Sequence, residues 1–148
     1  MFAQLDTKSV YSFMDSVVDL NSYVARAKEL GYQALGLMDR DNLYAAYHFA
    51  QLASRNGLRP LIGMEANLFY EGRKIPFRLL AKNNQGYKNL MKLATELSSG
   101  QRELTAFSDY LNAIALILPS EDWESGMTLG SEVFIGVRPE DAGKEFDY

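Results

Sequence analysis

The sequence contains no cysteine, which excludes a disulfide framework and a thiolate metal site and suits the reducing cytosol. No apolar run approaches the roughly 20 residues of a membrane span. The opening stretch MFAQLDTKSV lacks the apolar segment of a signal peptide. Positive charge is not in excess either: 15 basic side chains face 19 acidic ones, for a net charge of −4. A domain that holds DNA by neutralising phosphates is expected to present a basic surface. The balance therefore argues against an autonomous nucleic-acid binder; any DNA is expected to be held elsewhere in a larger protein. The one histidine, His48, lies inside a helical pattern between Tyr47 and Phe49 and reads as a packing or surface residue. There is no glycine-rich phosphate loop and no nucleophile-elbow serine.

What is present is the composition of a globular domain. An apolar fraction of 47% over 148 residues is enough for one hydrophobic core. The expectation is one cytoplasmic domain with no membrane contact. Short apolar runs alternate with helical periodicities almost throughout. Phe2–Leu5 reads as a strand, followed by a polar loop to Ser16. Leu20, Tyr23, Val24, Ala27 and Leu30 recur at helical spacing, with Asp19 as N-cap and Gly31 at the left-handed C-terminal position. Ala34–Met38 reads as a buried strand. A second helix is expected from Asn42, with Leu43, Ala46, Tyr47, Ala50 and Ala53 inward; Gly57 ends it and Pro60 blocks its continuation.

Leu61–Met64 reads as the next strand, extending towards Phe69. Glu71-Gly72 signals a turn, and Ile75–Lys82 a further strand. Asn84 is expected to cap a third helix with Tyr87, Leu90, Met91, Ala94 and Leu97 on its apolar face. Asn112–Leu118 and Val133–Val137 read as strands, with Ser120–Ser131 an exposed loop between them. Regular alternation of strand and helix implies a mostly parallel α/β sheet. A doubly wound sheet and a (β/α) barrel both satisfy it. The polar ending after Val137 would leave a barrel on an unpaired edge, so the chain is expected to be a piece of something longer.

Charged residues cluster just after the expected strands: Asp6 and Lys8, Asp39, Arg40 and Asp41, and Glu65. In parallel α/β folds the carboxyl ends of strands gather ligands and catalytic groups. Helix caps and solvated loop charges are the plainer reading, and Asp41 or Asn42 suits an N-cap better than a site.

Three blocks carry a family resemblance. FAQLDTKSVYSFMDS stands where PHP (polymerase and histidinol phosphatase) domains of bacterial DNA polymerase III alpha subunits have a strand with alternating histidines, then a serine and YSLLDG. AKELGYQALGLMDRDNLYAAYHFAQLASRNGLRPLIGMEANLF resembles the family's AKELGMPALALTDHGNM and IKPIIGCE. LLAKNNQGYKNLMKLATELS is similar to LLAKNEEGYRNLMKLSS, a block tied to the polymerase type rather than to ligand binding. The resemblance implies the N-terminal part of a single PHP domain over residues 1–148, a partial (β/α)7 barrel. The remaining strands and the polymerase core would lie beyond Tyr148. It also implies DNA replication as the setting, the rest of the alpha subunit and other replisome proteins as partners, and magnesium in the parent polymerase core.

Carried over by position, the resemblance places Asp6 and Lys8 at the two first-motif histidines and Arg40 at the second-motif histidine. Asp39 is the aspartate before that histidine, and Asp15 and Glu65 match acidic site positions. Metal sites need electron-pair donors, whereas ammonium and guanidinium groups only donate protons and repel a dication. The expectation is therefore no catalytic residue and no cofactor here, with an ion-pair cluster in place of metals and a scaffolding role. A residual metal-dependent phosphoesterase or 3′–5′ exonuclease is the alternative. An unrelated β/α barrel is disfavoured by the third block.

Overall fold

Six strands form one sheet in the computed structural model, which describes residues 3–12, 16–124, 127–130 and 132–136. They are β1 (Ala3–Gln4), β2 (Ala34–Arg40), β3 (Arg59–Tyr70), β4 (Arg73–Ala81), β5 (Ile114–Pro119) and β6 (Glu132–Gly136), and they lie side by side in chain order. β1–β2, β2–β3 and β5–β6 are parallel, while β3–β4 and β4–β5 are antiparallel. Parallel pairing prevails and the sheet curls into part of a (β/α) barrel. Phe2, at the start of the expected first strand, and Val137, at the end of the last, fall outside the described residues.

The antiparallel pairs arise at one sequence signal. Glu71 and Gly72 both adopt positive φ, 50° and 78°, the backbone of a two-residue hairpin whose twist matches its strands. With so short a link there is no crossover helix, and β4 must return alongside β3. Beyond Arg40, β3 outruns β2. Its freed edge is taken up by a later segment, with the Phe69 N–H donating to the Arg102 carbonyl at 2.8 Å.

Helices α1 (Leu20–Glu29), α2 (Ala46–Arg55) and α3 (Asn84–Ser98) cover one face of the sheet. Asp19 caps α1, accepting from the Ser22 N–H at 2.9 Å, and that bond holds its carboxyl below the usual range. Gly31 has φ +73°, as the left-handed position requires. Leu20, Val24 and Ala27 pack with Leu35, Phe49 and Ala53, whereas Leu30 is exposed.

The Tyr23 hydroxyl donates to the Gly36 carbonyl at 3.0 Å, and burial pushes its pKa up to about 12. A phenol that stays protonated in the fold stabilises it fully below the unfolded value of about 10, and this share is lost as pH rises towards 12. The stability difference between the parent and Tyr23→Phe is therefore expected to shrink between about pH 9 and about pH 11.5. Urea unfolding of both proteins at the two pH values measures it, and the other tyrosines cancel in the difference.

Several expected boundaries move. α2 begins at Ala46, not Asn42, and neither Asp41 nor Asn42 caps it. Asn42 instead closes a turn, its Oδ1 accepting from the Tyr44 N–H at 3.1 Å, a local bond that competes with helix formation. Tyr47 is exposed, and Phe49 takes the inward position. In α3 the cap is Asn83, whose side chain accepts from the Gly86 N–H. Its buried stripe runs through Gly86, Leu90, Leu93 and Leu97, leaving Met91 exposed. A β-carbon on Gly86 would stand 2.1 Å from the Ala113 carbonyl oxygen, so this close approach selects the stripe. The 3₁₀ helix Leu104–Tyr110 buries Leu104 and Phe107 in the same core, with no helical repeat long enough to reveal it. Ser120–Ser131 is not simply an exposed loop, since Leu129 is buried and Trp123 packs on the core.

Candidate functional site: an ion-pair centre on the open face of the sheet

Strand alternation sorts the charged residues onto two faces. Arg40, Glu65 and Arg78 stand in register across β2, β3 and β4, with Ile117 of β5 next in the row. Their neighbours Asp39, Met64 and Leu79 form the adjacent row, and Met64 and Leu79 belong to the core beneath α3. Arg40, Glu65 and Arg78 therefore occupy the face that the helices leave open.

Asp6 and Lys8 reach this row from the segment after β1. The Met38 N–H donates to the Thr7 carbonyl at 2.8 Å, continuing the β1–β2 pairing. Gly36 admits the Leu5 backbone, where a β-carbon would stand 2.5 Å from the Leu5 carbonyl oxygen. The two residues flanking Thr7 are thereby fixed over the sheet.

Glu65 is the hub. Its Oε2 lies 3.0 Å from Lys8 Nζ, and its Oε1 accepts from Arg40 Nε at 3.1 Å and Nη2 at 2.9 Å. Asp6 accepts from Lys8 Nζ at 3.3 Å and from Arg78 Nε at 2.6 Å. Arg78 Nη2 lies 3.9 Å from Glu65 Oε2, so it bridges the two carboxylates. The Glu65 side chain is only 7% exposed, whereas those of Lys8 and Arg40 are 18% and 44% exposed. A buried carboxylate is thus held by cations that retain some water.

Asp39 is not a member of this centre. It lies on the covered face, 2% exposed, and accepts from the Ser9 N–H at 2.6 Å, the Ser9 hydroxyl at 2.7 Å and the Ser12 hydroxyl at 2.6 Å. Ser12 Oγ in turn accepts from the Arg40 N–H at 3.0 Å. Asp39 therefore clamps the loop that follows Lys8. Asp41, just past β2, pairs through both oxygens with Arg102 at 2.8 Å, which raises the arginine pKa further. Asp15 falls outside the described residues, and His48 is exposed on α2.

The donor set decides what this centre can hold. Lys8, Arg40 and Arg78 offer no electron pair, and they already engage the oxygens of Asp6 and Glu65. Among the described residues no group of three or more histidine, cysteine, aspartate or glutamate side chains is placed to bind a metal ion. A zinc or manganese ion does not fit these residues. Three residues of the arrangement escaped the sequence reading: Arg78, Ser9 and Ser12. Arg78 did carry a signal, as a charge between the inward-facing Phe77 and Leu79 of an alternating strand.

Comparison with known proteins places the fold. The PHP domain family matches residues 4–125. A DNA polymerase III subunit alpha from Streptococcus pyogenes serotype M1 is 47% identical over 137 residues, covering 93% of this chain and 13% of that protein. The corresponding Bacillus subtilis protein is 33% identical over 126 residues, covering 81% of this chain and 11% of the relative. The chain thus spans about an eighth of the length of the curated relatives it matches. Among solved structures, a Bifidobacterium adolescentis protein assigned as a metal-dependent phosphoesterase aligns with a TM-score of 0.52 at 16% identity, covering 64% of this chain and 32% of that one. An amidohydrolase from Chromobacterium violaceum, with bound sulfate and no metal, aligns with a TM-score of 0.54 at 20% identity, covering 66% and 34%. Both share the fold.

Proposed function

The chain belongs to the PHP domain family, and from that premise we propose that it is the N-terminal module of a DNA polymerase III alpha subunit acting in cytoplasmic DNA replication. Its near relatives of that description support the reading. Within such a protein, DNA synthesis from deoxynucleoside triphosphates with magnesium belongs to regions beyond this chain. The remainder of the alpha subunit is its first partner, other replisome proteins follow, and DNA is held through the parent protein. No described helix is long and apolar enough to cross a membrane.

The module itself serves as a scaffold, with an ion-pair centre where PHP enzymes hold metals. A single observation carries this: the buried Glu65 carboxylate is engaged by Lys8 and Arg40, residues that the family resemblance sets at histidine positions. The test is a hydrolysis assay on the full-length protein with a single-stranded 3′ end and a phosphomonoester, in the presence of zinc or manganese. Primer extension with magnesium and no metal-dependent hydrolysis are expected. Hydrolysis abolished by Asp15→Asn would overturn the scaffold reading in favour of the phosphoesterase.

A further inference from the structure

Lys8 and Arg40 are the visible substitutions at the family's histidine positions, yet the geometry gives a third residue comparable weight. Arg78 arrives from β4, the strand that the Glu71-Gly72 hairpin folds back beside β3, and it stands opposite Glu65 in the β3–β4 register. Its Nε is 2.6 Å from Asp6 Oδ2 and its Nη2 3.9 Å from Glu65 Oε2. It therefore spans the two described carboxylates of the centre. Asp6 and Glu65 are the very groups that would have to turn their oxygens towards a dication. The planar guanidinium is well suited to hold both, because its donors are fixed in a fork and it stays charged throughout the physiological range.

We infer that Arg78 is an independent lock on this centre: it excludes a divalent cation even when Lys8 and Arg40 are both replaced by histidine. The inference rests on the scaffold reading of the same site and adds to it a residue that no motif comparison singled out. With histidine at both of those positions, the donors would comprise two imidazoles and two carboxylates, a set that suits zinc. Arg78 would still occupy the carboxylates and contribute a positive charge beside the incoming ion.

The experiment measures zinc affinity by competition with a chromophoric chelator, using the full-length protein in three forms: the parent, Lys8→His/Arg40→His, and that pair combined with Arg78→Gln. Urea unfolding confirms that each is folded, and Arg78→Met replaces Arg78→Gln if the latter does not fold. The triple variant is expected to bind zinc about 10- to 100-fold more tightly than the double variant, the range typical for groups that control metal ligands from the next layer. Arg78→Lys in the double background retains the charge but not the fork, and is expected to gain less zinc affinity than Arg78→Gln. Tight stoichiometric zinc in the double variant, equal affinities for the double and triple variants, or a gain with Arg78→Lys matching that with Arg78→Gln, would overturn the lock. Tight stoichiometric zinc in the parent would instead overturn the scaffold reading itself.

Discussion

Replacing Asp39 by alanine is expected to lower the unfolding free energy by about 3 kcal/mol, the largest single effect in the region. The carboxylate is buried and accepts from one backbone N–H and two hydroxyls. Hydrogen bonds to a charged group contribute about 1.5–3 kcal/mol each, and leaving a buried donor unpaired costs about 1–3 kcal/mol. The serine hydroxyls can turn to other acceptors, but the Ser9 N–H cannot, so the total falls below the simple sum. The same change should speed hydrogen exchange of the Ser9 amide, because the loop loses its anchor to β2. Urea unfolding and amide exchange measure the two effects. A loss below about 1 kcal/mol, with Ser9 still protected, would show that the loop is held by something else.

The second large effect belongs to Glu65. Glutamine at this position retains the shape of the side chain and removes the charge that Lys8 and Arg40 share. Breaking a fully buried ion pair from one side costs about 3–5 kcal/mol, because the orphaned charge stays out of water. Here the cations are partly exposed and can recover hydration, so about 2–3 kcal/mol is expected, below the range for complete burial. Adding Lys8→Met to Glu65→Gln should restore part of the loss, since one unpaired cation is then gone, and a double-mutant cycle reads the coupling. A Glu65→Gln protein as stable as its parent would mean that the centre contributes nothing to holding β3 against the segment after β1.

Much of this arrangement was legible in the residues. The cap at Asp19, the left-handed glycine at Gly31 and the Glu71-Gly72 turn each depend on local backbone chemistry, and each stands where the sequence placed it. The expected association of Lys8 and Arg40 with acidic neighbours is also present, through Glu65. What escaped was decided by contacts distant in sequence. In α3, Leu90 and Leu97 face inward as their spacing placed them, but Leu93 rather than Met91 joins them, on the side where Gly86 lies against the Ala113 carbonyl. Asp39 looked like a member of the charged set because it precedes Arg40. Alternation along β2 sends it to the opposite face, where Ser9 and Ser12 await it. Arg78 meets Asp6 across 72 positions of sequence, a pairing created by the antiparallel return of β4.

The engagement of Glu65 and Asp6 by Lys8, Arg40 and Arg78 is the feature on which the proposed scaffold reading turns. Its most direct test is the metal content of the full-length protein after incubation with excess zinc or manganese and removal of the free ion, read by elemental analysis. Far less than one equivalent is expected in the parent, unchanged by Glu65→Gln. One or more tightly held equivalents, lost on Glu65→Gln, would contradict it.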